Sequence, residues 1–147
     1  SVSHVTVGTV LVLSSARTRY ELVIASLVDA SGPAFVVVPI PGTAPLAART
    51  CAAINAIDPV PPLTIITFEE TCTLLPPVAF AQRAAHRRVD EYVLVNPVLP
   101  EITDSWPDAR MTVFVDDLGC DVARIALLRG WTVRETDHLA EWSPDRA

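Results

Sequence analysis

Apolar residues fall along this chain in short unbroken runs, separated by stretches with helical spacing. Val7–Leu13 is a Val-rich run of strand length. In Thr18–Ala30, Tyr20, Val23, Ile24, Leu27 and Val28 share one face of a helix, which Ser31-Gly32-Pro33 stops. Ala34–Ile40 predicts a second strand, closed by Pro41-Gly42. Pro45–Ile57 predicts a helix carrying Leu46, Ala53, Ile54 and Ile57. Pro59, Pro61 and Pro62 break that helix before a third strand, Leu63–Phe68. Pro76 or Pro77 suits the first turn of a helix running to about Arg88. Glu91–Val95 is a fourth strand ended by Asn96-Pro97, and Pro97–Asp108 is a Pro-rich loop. Met111–Val115 is a fifth strand. Asp121–Arg129 is a helix with Val122, Ile125, Ala126 and Leu128 inward, ended by Gly130. Trp131–Arg134 is a short sixth strand, and His138–Trp142 one last helical turn.

Strand and helix alternate about six times. The strands are continuous apolar runs, not alternating ones, so both faces of the sheet are expected to be covered. The pattern predicts an α/β fold: a doubly wound, mostly parallel sheet of about six strands with helices on both faces. The 147 residues fit a single domain, 1–147, without a linker or an internal repeat.

Composition narrows the classes. The net charge of −6 gives no support for a nucleic-acid or anionic-membrane partner. All eleven basic side chains are Arg, so a lysine Schiff base and a P-loop lysine are excluded. Ser14-Ser15-Ala16-Arg17 follows the first strand without a glycine, which disfavours a dinucleotide site, and no cofactor is expected. Cys51, Cys72 and Cys120 are odd in number and form no CxxC pair. That points to a reducing, cytoplasmic setting without a zinc knuckle. His4, His86 and His138 show no metal spacing, so no metal is expected. No apolar run reaches the roughly 18 residues of a membrane span, and no signal peptide is visible. A mean hydropathy of +0.38 points to a buried interface, with a homo-oligomer, a dimer, as the plain explanation. Arg without Lys, beside much Ala, Val and Pro, suggests a GC-rich bacterial genome.

In open parallel sheets, ligands bind beyond the carboxyl ends of the strands, where strand order reverses. That rule selects Ser14, Ser15, Arg17 and Arg19 after strand one, Pro41, Gly42 and Thr43 after strand two, and Glu69, Glu70, Thr71 and Cys72 after strand three. It adds Asn96 after strand four, Asp116 and Asp117 after strand five, and His138 after strand six. A carboxylate at Glu69 or Glu70 could move protons in an apolar crevice, although adjacent side chains in an extended segment point opposite ways. Charge at a helix start is the plain alternative for both. Cys72 near a helix start could be a thiolate nucleophile, or a small core residue. One of Asp116 and Asp117 could orient His138 as a base, while the other caps the next helix. Ser14, Ser15, Arg17, Glu70 and Asn96 could bind substrate, and Ser15 fits a helix cap equally well. Trp106 could cover the cleft or an oligomer contact.

The order of elements resembles the α/β-hydrolase family. Pro39-Ile40-Pro41-Gly42 is similar to the "P-D-x-x-G" end that follows that family's second core strand. Helix Val78–Arg88 followed by Glu91-Tyr92-Val93-Leu94-Val95-Asn96-Pro97 resembles the helix after the nucleophile and its "L-V-L-V-D-P" strand. The resemblance implies an acid at Asp116 or Asp117 and a base at His138, in the order nucleophile, acid, His. The chain has no G-x-S-x-G. Alignment on the third strand places Glu69 at the nucleophile position; alignment on the following helix places Cys72 there. The implied function is an α/β-hydrolase-like enzyme acting on a small organic molecule without a Ser nucleophile. It would work by acid/base chemistry of isomerase, cyclase or lyase type, or by Cys-dependent acyl hydrolysis. The alternative is a non-catalytic relative, a ligand-binding or oligomerising accessory protein.

Overall fold

The structure, a computed structural model, describes residues 8–13 and 33–142. Six strands form one sheet: β1 (Thr9–Leu13), β2 (Ala34–Val37), β3 (Leu63–Phe68), β4 (Val89–Val95), β5 (Arg110–Val115) and β6 (Thr132–Glu135). Their order is β2-β1-β3-β4-β5-β6, and every neighbouring pair is parallel. The chain steps outward from β1 to β2, then returns to the other side of β1 at β3. The fold is therefore α/β and doubly wound, with the reversal between β1 and β3.

Among the described residues three α-helices link the strands: α1 (Leu46–Ile57), α2 (Leu75–Ala84) and α3 (Asp121–Leu128). All three pack on one face of the sheet. Ala53 and Ile54 of α1, Val78 and Ala79 of α2, and Ala123 and Ala126 of α3 share a core with Leu11, Ile65, Leu94 and Val113. The opposite face carries Val10, Val12, Ile66, Phe68, Val93, Val95 and Phe114, with Leu139 and Trp142 packed on them. Those two come from a closing 3-10 helix, Thr136–Glu141, and the residue after it. The four inner strands are buried at nearly every position because both their faces are covered. The helix expected over Thr18–Ala30 lies outside the described residues, as do Ser14, Ser15 and Arg17.

Several element boundaries differ from expectation, each for a local reason. β2 stops at Val37 rather than Ile40, because Pro39 has no N–H for the ladder. α2 stops at Ala84 rather than near Arg88, and the chain turns through His86 at φ 60°. β4 then begins two residues early, at Val89. In α3 the inward residues are Ala123 and Ala126, while Leu128 is 78% exposed. Gly130 ends that helix at φ 81°, where a side chain would be strained. Trp106 does not cover a cleft. It is buried between Tyr92 and Trp131, edge-on to both rings at 5.8 and 6.0 Å, and pins the 97–108 loop to the core.

Polar side chains buried at the amino ends of β3 and β4 are mutually satisfied. The Arg87 guanidinium donates to Gln82 Oε1 (2.9 Å), to Asp58 Oδ1 (3.1 Å) and to Asn55 Oδ1, tying the end of α1 to the end of α2. On the opposite face, Glu91 accepts from the Thr112 hydroxyl (2.7 Å) and faces Arg110.

Candidate functional site

The carboxyl ends of β1 and β3 flank the reversal of strand order, and Glu69 is the first residue beyond β3. It opens a 3-10 helix, Glu69–Leu74, that runs directly into α2. Its side chain is half-buried, with Oε1 fully buried. Its backbone lies at φ 52°. Among the described residues, four non-glycine positions take positive φ: Asp58, Glu69, His86 and Asn96. Asp58 and His86 follow helix ends, where a left-handed residue is ordinary. Glu69 and Asn96 follow strands. Asn tolerates this region; Glu does so at a cost of about 1–2 kcal/mol, so the surroundings must hold it there.

The hold is visible on both sides of Glu69. The Phe68 N–H donates to Thr71 Oγ1 (3.0 Å), and the Thr71 hydroxyl lies 2.6 Å from Phe68 O and 3.4 Å from Leu13 O. Thr71 is buried, so its two bonds to Phe68 hold the turn in a dry setting beside the end of β1. The Glu69 carbonyl accepts from the Val98 N–H at 3.1 Å. Phe68 pairs with Val95, so Glu69 and Asn96 leave adjacent strands at the same level, about 5 Å apart.

Asn96 is locked to β5. Its Nδ2 donates to Asp116 Oδ1 (3.0 Å), and the Asp116 N–H donates to Asn96 Oδ1 (3.1 Å). The Thr136 hydroxyl donates to the same Asp116 oxygen (2.7 Å). Asn96, Asp116 and Thr136 therefore form one polar row along the ends of β4, β5 and β6. Thr136 was not among the expected residues; its place at the end of the least apolar strand gave no sequence signal.

The other expected groups are placed differently. Asp117 accepts from the Gly119 N–H (2.9 Å) and closes the turn before α3; the helix cap expected of one of the two aspartates is supplied by Cys120 instead. His138 is exposed, and its Nδ1 lies 3.3 Å from Glu141 Oε2. Neither Asp116 nor Asp117 has His138 as a described partner, so the expected acid–base pair is not assembled. Glu70 is exposed at the start of the 3-10 helix, where the helix dipole favours a carboxylate.

Cys72 is fully buried beneath this turn. Burial pushes its thiol up to about 12; hydrogen bonds, the Thr67 hydroxyl at 3.1 Å first among them, offset part of that, and the nearby Glu69 charge adds to it. The expected thiolate nucleophile is corrected on that ground: the sulfur is neutral, dry and packed in the core with Leu75 and Leu94. Cys51 is also pushed up by burial, and Cys120 caps α3 by accepting from the Ala123 N–H.

A separate apolar groove of about 350 Å³ lies at the opposite end of β1 and β2, lined by Phe35, Ile57, Pro59 and Val60 among others. Among the described residues no cluster of three or more His, Cys, Asp or Glu could hold a metal ion, and no helix is long and apolar enough to cross a membrane. Compared with known proteins, the chain matches no family model, no curated protein and no solved structure.

Proposed function

We propose that this chain is an α/β-hydrolase-like enzyme that acts on a small organic molecule by acid/base chemistry, with the Glu69 carboxylate moving the proton. One observation carries the reading: a half-buried glutamate held at φ 52° on the first residue after a central strand, at the reversal of strand order. Strained non-glycine residues that the surrounding structure over-determines cluster at functional sites, and a sharp strand-to-helix turn projects its side chain above the sheet. Asn96, at the end of the neighbouring strand, has its amide fixed toward Asp116 on the same rim. The reaction class that fits is proton abstraction next to a carbonyl, as an isomerase, cyclase or lyase requires. The setting we assign is cytoplasmic, with a small molecule as the partner, no nucleic acid or membrane, and a homodimer as the working form.

A second reading is favoured by a specific observation. His138 pairs with Glu141 and Asp117 closes a local turn, so the two remaining members of a hydrolase triad stand apart. That arrangement suits a relative that binds a ligand or partner without turning it over.

Deuterium exchange separates the two. The protein is incubated in D2O with a panel of small ketones, lactones and esters, and loss of the proton signal next to the carbonyl is followed by NMR. The enzyme reading expects exchange by the wild type and a loss of about 100-fold or more in Glu69→Gln, the usual worth of a positioned general base. Exchange at equal rates in both proteins defeats it. Binding without exchange supports the second reading.

A further inference from the structure

We infer that Thr71 is the positioning residue of this site: its buried hydroxyl fixes the left-handed turn at Glu69 through the peptide groups of Phe68. The inference rests on the reading of Glu69 as the working carboxylate.

The geometry is specific. A threonine hydroxyl has one proton and two acceptor positions. Thr71 Oγ1 receives the Phe68 N–H at 3.0 Å and donates back toward Phe68 O at 2.6 Å. Both groups belong to the residue immediately before Glu69. The same oxygen lies 3.4 Å from Leu13 O, the last carbonyl of β1, across the reversal of strand order. One atom therefore restrains the peptide that feeds the turn. Valine at this position keeps the shape and removes the hydroxyl, leaving the Phe68 N–H and C=O without it in a buried setting. The strain at Glu69 then has one less restraint, and the residue can relax to ordinary negative φ. The second hold, from the Val98 N–H to the Glu69 carbonyl, stays in place. Thr71 touches no reacting atom in this account; it acts through Glu69.

The test uses Thr71→Val, Thr71→Ala and Thr71→Ser in the full chain. A residue at positive φ brings its amide and α protons close together, so Glu69 gives a strong intraresidue NOE in the wild type. The inference expects that NOE to weaken in Thr71→Val and Thr71→Ala and to persist in Thr71→Ser. It also expects the deuterium-exchange rate at saturating substrate to fall about tenfold in the hydroxyl-free variants, with KM little changed and serine restoring it. A purely structural role would lower stability without moving the NOE. If both hydroxyl-free variants fail to fold, Thr71→Ser decides: a retained NOE and rate support the inference, and their loss overturns it. A strong NOE at Glu69 in a folded Thr71→Val also overturns it. Equal exchange by the wild type and Glu69→Gln defeats the functional reading alone, because the NOE result stands without any substrate.

Discussion

The two ends of the parallel sheet each carry a polar cluster, and they are built on opposite principles. At the amino ends of β3 and β4, Arg87 is 8% exposed, yet its guanidinium has Gln82, Asn55 and Asp58 as partners. The left-handed residue there, Asp58, sits at a helix end, where such residues are ordinary. This cluster is a staple: it satisfies buried charge and joins α1 to α2. At the carboxyl ends, Glu69 holds a left-handed conformation that its side chain disfavours, in a turn that Thr71 and Val98 must restrain. The comparison separates a polar group placed for stability from one held against it. Burial and hydrogen bonding occur at both ends; backbone strain on an ill-suited residue type occurs at one.

That distinction can be broken by mutation. The largest expected effect falls at the staple. Arg87→Ala leaves the buried Gln82 amide oxygen without its guanidinium and releases the exposed Asn55 and Asp58, and is expected to cost about 2 kcal/mol in urea denaturation, with the deuterium-exchange rate of the folded fraction unchanged. A loss under about 1 kcal/mol would show that the staple is not holding the helices.

Next in size is an alkaline transition. The Cys72 thiol is neutral in the fold up to about 12 but ionises near 9 in the unfolded chain. Its contribution to stability is therefore fully present below about pH 9 and is lost as pH rises from 9 toward 12. The loss is therefore only partial by pH 11. Tyr92, pushed up by burial and by its bond to Asp108, acts with the same sign at higher pH. Thermal melts from pH 8 to 11 check this: Cys72→Ala is expected to have a lower Tm at pH 8 but a shallower decline. An equal decline in both proteins would place the titrating group elsewhere.

The smallest effects sharpen the assignment within the rim. Asp116→Asn disturbs the oxygen that receives both Asn96 and Thr136, and is expected to slow exchange about tenfold. His138→Ala is expected to change neither exchange nor stability by a measurable amount, since an exposed His–Glu pair is worth little. A large loss in His138→Ala would mean that the 3-10 helix brings the imidazole back to Glu69 during turnover.

The architecture was legible because inner parallel strands leave an unambiguous trace. Leu63–Phe68 and Met111–Val115 carry no charge and break their apolar runs only with threonine, and Pro62 marks the start of the first. The boundaries that moved did so where one backbone group outweighed a run of apolar side chains, as at Pro39. In α3, spacing pointed Leu128 inward, but the small Ala123 and Ala126 allow the close approach to β5 and β6. The rule for strand ends placed Glu69, Asn96 and Asp116 on one rim. It did not show which carboxylate is strained, because φ is not written in residue type. It did not show that Cys72 turns inward beneath the helix start, since a buried and a reactive cysteine look alike in sequence. Thr71 lies among the strand-end residues, but its bonds to Phe68 are not written in residue type, and the role of Thr136 depends on a partner 20 residues away.

The central claim, that Glu69 is kept in a conformation costly to the fold for the sake of its carboxylate, is tested most directly by the urea denaturation of Glu69→Gly. Glycine enters the left-handed region freely, so the account predicts a gain of about 1 kcal/mol over the wild type. A loss of similar size would mean that the Glu69 side chain supports the fold, and that the turn stores no strain for function.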